Sequence, residues 1–243
     1  MGLTVTVLGC SGSYAGAGEA CSGYLVRSPG ATVVVDLGSG TLANLQHHIA
    51  IAELDAVVLS HSHPDHWLDL PLLRNAMRYL LGLEGLAVYG TQGTLDAARV
   101  ISGELEPTLL WTTIDERSKV VVGDMTVRFG RTDHPVETLA VRVESGGRTL
   151  LYSADTGPGW DPGPLGADVD LFLCEASLPV DQEGRTQHLS GRQAGALARE
   201  LGAGHLVVTH VSPGVDDEAQ RRDAAGAFGG EVGVAETGAR FAV

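Results

Sequence analysis

The sequence predicts an α+β fold, one domain spanning 1–243 in which two packed sheets are covered by helices. Three observations lead there. Short β-type runs recur along the whole chain and are interrupted by five helical patterns. Both halves, 1–123 and 124–243, carry hairpin-forming strands followed by helices, and no Pro/Ser-rich linker divides them. Composition agrees: 44% hydrophobic and 19% charged residues over 243 positions supply one sizeable core and exclude disorder. The 33 glycines have no three-residue period, so they read as turns, and collagen is excluded.

Taken in order, Met1–Val7 alternates apolar residues with threonine and lacks the basic and apolar regions of a signal peptide, so Leu3–Leu8 is the first strand. Gly9–Gly18 has neither GxxxxGK[ST] nor a following helical pattern and reads as a turn or rim loop. Strands Tyr24–Arg27 and Thr32–Asp36 precede a helix over Thr41–Ala50, whose late His47 and His48 are read as solvated. Strand Ala56–Ser60, helix His66–Leu81, strand Leu86–Tyr89 and helix Thr91–Ser102 complete the first half. The second half offers strands Met125–Phe129, Thr138–Val143, Thr149–Ser153 and Val169–Cys174, helix Gly191–Leu201 with Ser190 as its N-cap, strand Leu206–Thr209, helix Asp216–Phe228 and strand Gly238–Val243. Trp67, Trp111 and Trp160 suit a pocket rim and core packing equally well. No window reaches the ~18 apolar residues of a membrane span. Cys10, Cys21 and Cys174 form no CxxC and leave an odd thiol, which fits a reducing compartment, and the expected location is cytoplasmic.

Chemistry concentrates where strand Ala56–Ser60 runs into His61-Ser62-His63-Pro64-Asp65-His66. Histidines at i and i+2 lie about 200° apart on a helix but on one side of an extended segment, so His61 and His63 converge only at a strand end or loop. Pro64 keeps His63 extended, and Asp65 and His66 are then free to serve a second site nearby. Three more strand ends supply His134, Asp155 and His210. Metal binding is the expectation.

The order HxHxDH, His, Asp, His at such strand ends resembles the metallo-β-lactamase-fold hydrolases over essentially the whole chain. The resemblance implies a four-layer αββα metallo-β-lactamase sandwich with the site at one edge between the sheets. Carried over, it implies one metal on His61, His63 and His134 and another on Asp65, His66 and His210, with Asp155 bridging. Two cations so bridged lie ~3.5–4 Å apart and can hold a hydroxide between them as the nucleophile. With only N and O ligands, zinc is the default cofactor, with manganese or iron as alternatives. Asp36 resembles the family's buried structural Asp, supporting the site loop through hydrogen bonds. Antibiotic-hydrolysing members commonly place Cys where Asp155 stands, which disfavours β-lactams.

Glu175 in Cys174-Glu175-Ala176-Ser177 and His188 in Gln187-His188-Leu189-Ser190 resemble the acid–histidine pair of the tRNA 3′-processing endonuclease branch and its phosphodiesterase relatives. With Asp65 they form the expected catalytic group, His188 stabilising charge or protonating the leaving oxygen and Glu175 orienting it. The tRNA-processing enzymes carry a long basic arm between the third motif and the bridging Asp; here only positions 134 to 155 are available. Lys occurs once, at Lys119, and the net charge is −14, which disfavours nucleic acid as partner. The finer pattern, Gly9-Cys10-Ser11-Gly12-Ser13, Ser22-Gly23-Tyr24-Leu25, Asp69-Leu70-Pro71 and His188-Leu189-Ser190-Gly191, is similar to the actinobacterial cyclic-nucleotide-degrading phosphodiesterases. The expected substrate is therefore a small phosphodiester, a 3′,5′-cyclic nucleotide first, with no membrane partner; a homodimer is compatible with the sequence. Alternatives are a tRNA 3′-processing endoribonuclease, a thioester hydrolase or mononuclear iron persulfide oxygenase of the same fold, and a binding module that has lost its ligands.

Overall fold

The β-branched runs pair into two seven-stranded mixed sheets in the computed structural model, which describes residues 2–243. Met1, at the head of the first expected strand, lies outside the described residues. In chain order the first sheet takes β1 (Thr4–Gly9), β2 (Gly23–Arg27), β3 (Thr32–Leu37), β4 (Ala56–Val58), β5 (Leu86–Gly90) and β6 (Leu109–Thr113). The second takes β7 (Lys119–Val122), β8 (Met125–Arg131), β9 (Leu139–Ser145), β10 (Arg148–Tyr152), β11 (Leu171–Glu175), β12 (His205–Thr209) and β13 (Val232–Val234). A last strand, β14 (Arg240–Ala242), returns to the first sheet beside β1. In both sheets antiparallel hairpins lead into a parallel run: β3 to β6 in the first, β10 to β13 in the second.

The inner faces of both sheets, with Val5, Val33, Val58, Val127, Val141, Leu150 and Leu173 buried, form the central core. On the outer face of the first sheet pack α1 (Thr41–Leu45), α2 (Leu70–Asn75) and α3 (Gln92–Ser102). On that of the second lie α4 (Gly191–Glu200) and α5 (Asp217–Phe228), giving the four-layer αββα sandwich. Helices α4 and α5 touch backbone to backbone: a Cβ on Gly191 or Gly195 would meet the carbonyl oxygens of Gln220 at 2.1 Å and Ala224 at 2.2 Å. No described helix is long and apolar enough to cross a membrane.

Several expected elements are corrected. The helix expected over Thr41–Ala50 stops at Leu45. That over His66–Leu81 is broken: a 3-10 turn holds Pro64–His66, α2 starts at Leu70 where Pro71 fits the first turn, and Ala76–Leu81 relaxes into a π-helix. Strands β6, β7 and β13 were not expected; β6 and β7 close the free edges of their sheets and are largely exposed, so they lack a clean buried alternation. The division between sheets lies before Lys119 rather than at 123, and β14 crosses back. Trp67 and Trp160 are core residues, at 3% and 5% exposure, and Trp111 packs on the outer cluster.

Candidate metal centre

In open sheets, functional groups gather beyond the carboxyl ends of parallel strands, where successive loops splay apart. Here β3 carries Asp36 one residue before its end, β4 leads to His61, β10 to Asp155, β11 ends in Glu175 and β12 leads to His210, all at one edge between the sheets. The tight turns cost backbone strain. Ser13, Asp36, Ala154 and His210 are non-glycine residues held at positive φ, and all four lie at this edge or within one residue of a cluster member or contact it.

Two sets of side chains converge: His61, His63, His134 and Asp155, and next to them Asp65, His66 and His210, each set offering ligand-type atoms within 4.8 Å of one another. All but His63 are buried. The two oxygens of Asp155 divide between the sets. Oδ1 lies 3.2 Å from His66 Nε2 and 3.4 Å from His210 Nε2, while Oδ2 lies 3.6 Å from His61 Nε2 and 3.9 Å from His134 Nε2.

Hydrogen bonds on the other ring nitrogens fix what each histidine presents. Ser60 Oγ donates to Asp36 Oδ2 at 2.8 Å and so accepts from His61 Nδ1 at 2.9 Å. His66 Nδ1 donates to Asp36 Oδ2 at 2.7 Å, and His134 Nδ1 to the Gln187 carbonyl at 3.3 Å. Ser177 Oγ donates to Glu175 or to the His210 carbonyl and accepts from His210 Nδ1 at 2.9 Å. With Nδ1 carrying the proton in all four, each Nε2 turns a lone pair inward. The His66 and His210 lone pairs therefore face each other, their Nε2 atoms 3.2 Å apart, and the His134 Nε2 lone pair faces His63 Nδ1 at 3.1 Å. His61 Nε2 and Asp155 Oδ1 are buried with no hydrogen-bond partner. Such spacings match the edges of a tetrahedron of donors about 3.3 Å apart around a cation bound at about 2.0–2.1 Å. An acceptor-rich, buried cluster of this kind fits divalent metal.

Electrostatics point the same way. Burial pushes His61, His63 and His134 toward the neutral, ligating form. Burial acts to raise the Asp65 carboxyl, but the imidazoles of His210 and His66 beside it hold it well below the usual range; Asp155, also buried, is likewise held down by His210, His66 and His61. Against its burial, the carboxylates of Asp155 and Asp36 pull the proton affinity of His66 up, the response of a cluster with more negative charge than its own protons balance. Thiols take no part: burial raises Cys10 to about 12 and Cys21 to about 11.

Glu175 is fully buried and knits the site together. It accepts from Thr156 N at 2.7 Å beside Asp155, from Ser177 Oγ at 2.8 Å beside His210, and from Leu189 N at 3.1 Å beside His188. Its Oε1 also takes His188 Nδ1 at 2.9 Å. Burial works against charge on His188, yet Glu175 raises it to about 9. The His188 side chain is 20% exposed, stacks on His210 at 5.8 Å and brings a ring nitrogen within 4.8 Å of ligand-type atoms of Asp155 and His210.

Every residue expected at the site is thus brought to it: His61, His63, Asp65, His66, His134, Asp155, Glu175, His188 and His210. Asp36, the expected support, accepts from Ser60, His66 and Tyr152. His47 and His48 are exposed and apart from it, and His205 opens β12 at the far end. Ser60, Ser177, Tyr152 and the Ser13 amide, 2.9 Å from Asp65 Oδ2, were not anticipated; for Ser60 and Ser177 the one signal was closeness to a predicted ligand or acid, and Tyr152 and Ser13 carried none.

A family model described as a beta-lactamase superfamily domain matches residues 31–211. The chain is 35% identical to the probable metallo-hydrolase YhfI of Bacillus subtilis, over 97% of this chain and 98% of that one. The crystal structure of YhfI superimposes with a TM-score of 0.90 over 98% of each chain, at 31% identity. A Ribonuclease Z of Halorubrum lacusprofundi is 28% identical over 95% of this chain and 94% of that one. A diphosphatase from the PhnP family shares the fold at a TM-score of 0.78 and 17% identity, over 99% of this chain and 98% of that one.

Proposed function

The chain belongs to the beta-lactamase superfamily as a metallo-hydrolase of that fold, and we propose that it is a phosphodiesterase using two divalent ions on small phosphodiesters, 3′,5′-cyclic nucleotides first. The observation that carries the reading is the Glu175–His188 pair beside the inward-facing lone pairs. In the proposed assignment His61, His63 and His134 hold one ion, Asp65, His66 and His210 the other, and Asp155 serves both through its separate oxygens. Zinc suits the nitrogen and oxygen donors, and manganese or iron is compatible with them. When bound, the ions supply Lewis acidity toward water and phosphoryl oxygen.

The chain's own groups do the rest. Ser60, Asp36, Gln187 and Ser177 keep the four Nδ1 protons turned away, so no donor competes for the centre. Glu175 fixes His188 through Nδ1 and leaves its Nε2 as the nitrogen that can give a proton to a departing alkoxide. A thioester or β-lactam hydrolase has no comparable need for this buried pair. Elemental analysis of purified protein followed by turnover on a panel of phosphodiesters, thioesters and β-lactams tests the reading. About two ions per chain and turnover confined to diesters support it; a single ion with preferred thioester turnover overturns it.

RNA processing is the second reading, favoured by the relative named Ribonuclease Z, so the comparisons lend no support to excluding nucleic acid. Two features support the small diester instead. Between His134 and Asp155 the chain makes only the β9–β10 hairpin, turning at Gly146 and Gly147. The net charge of −14 leaves little for counterion release on a polyanion.

A further inference from the structure

The chain carries 30 Asp+Glu against 16 Lys+Arg, and Arg128, Arg142, Arg148, Arg192 and Arg221 each pair with a carboxylate. Arg27 and Arg240 are arranged otherwise. On β1, Val5 and Val7 face the central core, so Thr4 and Thr6 face outward. Register places Arg27 of β2 opposite Thr4 and Arg240 of β14 opposite Thr6. The two guanidinium groups thus flank one strand diagonally on the same outer face. Both line two adjoining cavities of about 260 and 190 Å³. The larger is closed by His47 and His48 at the end of α1, and the smaller by the Ser28–Pro29 turn. No aspartate or glutamate lines either one. Two guanidinium groups facing one concavity with no carboxylate in its lining leave it a positive field, and guanidinium forks match a tetrahedral oxyanion.

We propose that this concavity on the outer face of β2, β1 and β14 is a binding site for a phosphate-type dianion, held between Arg27 and Arg240 with the Thr6 hydroxyl and the two histidines around it. It is separate from the metal centre: β1 runs on from Thr4 and Thr6 to Gly9 before the loop that reaches Asp65, roughly 17 Å along the strand from the level of Arg27 and roughly 10 Å from that of Arg240. The site does not depend on the activity proposed above.

The test is site-resolved. Metal-loaded, ¹⁵N-labelled protein is titrated at constant ionic strength with inorganic phosphate, with adenosine 5′-monophosphate and, as control, with chloride, following the amide signals of Thr4, Thr6, Arg27 and Arg240 and both arginine Nε–H signals. Saturable shifts with phosphate or the nucleotide but not with chloride are expected. At least tenfold tighter nucleotide binding assigns the ligand to a nucleotide-borne phosphate, and equal binding to phosphate alone. R27Q/R240Q should weaken these shifts at least tenfold while signals from the 61–66 loop respond as before. Arg240→Gln alone, at an exposed strand position, should weaken them about threefold and covers the case in which the double variant fails to fold. Non-saturating shifts, equal shifts with chloride, or variants that bind like the wild type overturn the proposal.

Discussion

Each histidine in the cluster has two nitrogens, and the neighbour on one decides what the other can do. Losing the Asp155 carboxylate removes the group whose two oxygens face both ligand sets, so Asp155→Asn should shed metal and activity together, read by elemental analysis and turnover. If His188 has the proposed role of proton donor, His188→Ala should keep its metal and lose about 10²–10⁴ in rate. Ser177→Ala, which removes the acceptor of His210 Nδ1–H, should weaken metal affinity about 10–100-fold without contacting the ion, measured by chelator competition. Sequence alone revealed the candidate ligands because His and Asp at strand ends are rare enough to stand out. It could not reveal Ser60, Ser177 or Tyr152: hydroxyl residues are common, and Tyr152 meets Asp36 across 116 positions of chain.

At the scale of elements, the strands with apolar runs were legible because burial on both faces writes itself into composition, as in Val33–Val35 and Leu206–Val208. Edge strands were not, since β6 and β7 leave most of their side chains in solvent. The expected helix from His66 failed for a local reason: Asp69 accepts from Leu42 N at 2.8 Å while Pro71 sets the first turn of α2, so the chain completes the His66 turn before starting the helix. The contact of α4 with α5 rests on missing side chains. Gly195→Ala puts a methyl 2.2 Å from the Ala224 carbonyl and should cost about 1–3 kcal/mol, lowering Tm by roughly 3–10 °C with metal content per folded chain unchanged. A melt indistinguishable from wild type would show that the helices can separate freely. Ser190, read from sequence as an N-cap, accepts from Gln193 N at 3.2 Å, and the helix it starts carries His188 just upstream.

For the whole molecule, the fold places the carboxyl ends of two parallel runs against each other and so gathers acceptors from both sheets at one edge. The cluster assembles from both sheets only in the folded chain, so for the proposed metal centre chelation should lower Tm, and the shift should grow with the logarithm of free metal when it is restored. In the proposed function charge sorts substrates. A surface at −14 repels a polyanion over a Debye length of about 8 Å, while a monoanionic cyclic diester needs only the local field of the loaded site. The most direct test is turnover of a 3′,5′-cyclic nucleotide and of precursor tRNA, side by side, at equal concentrations of metal-loaded enzyme. Efficient opening of the cyclic diester with little or no tRNA cleavage is expected; efficient, site-specific cleavage of precursor tRNA with negligible cyclic nucleotide hydrolysis would overturn the proposed function.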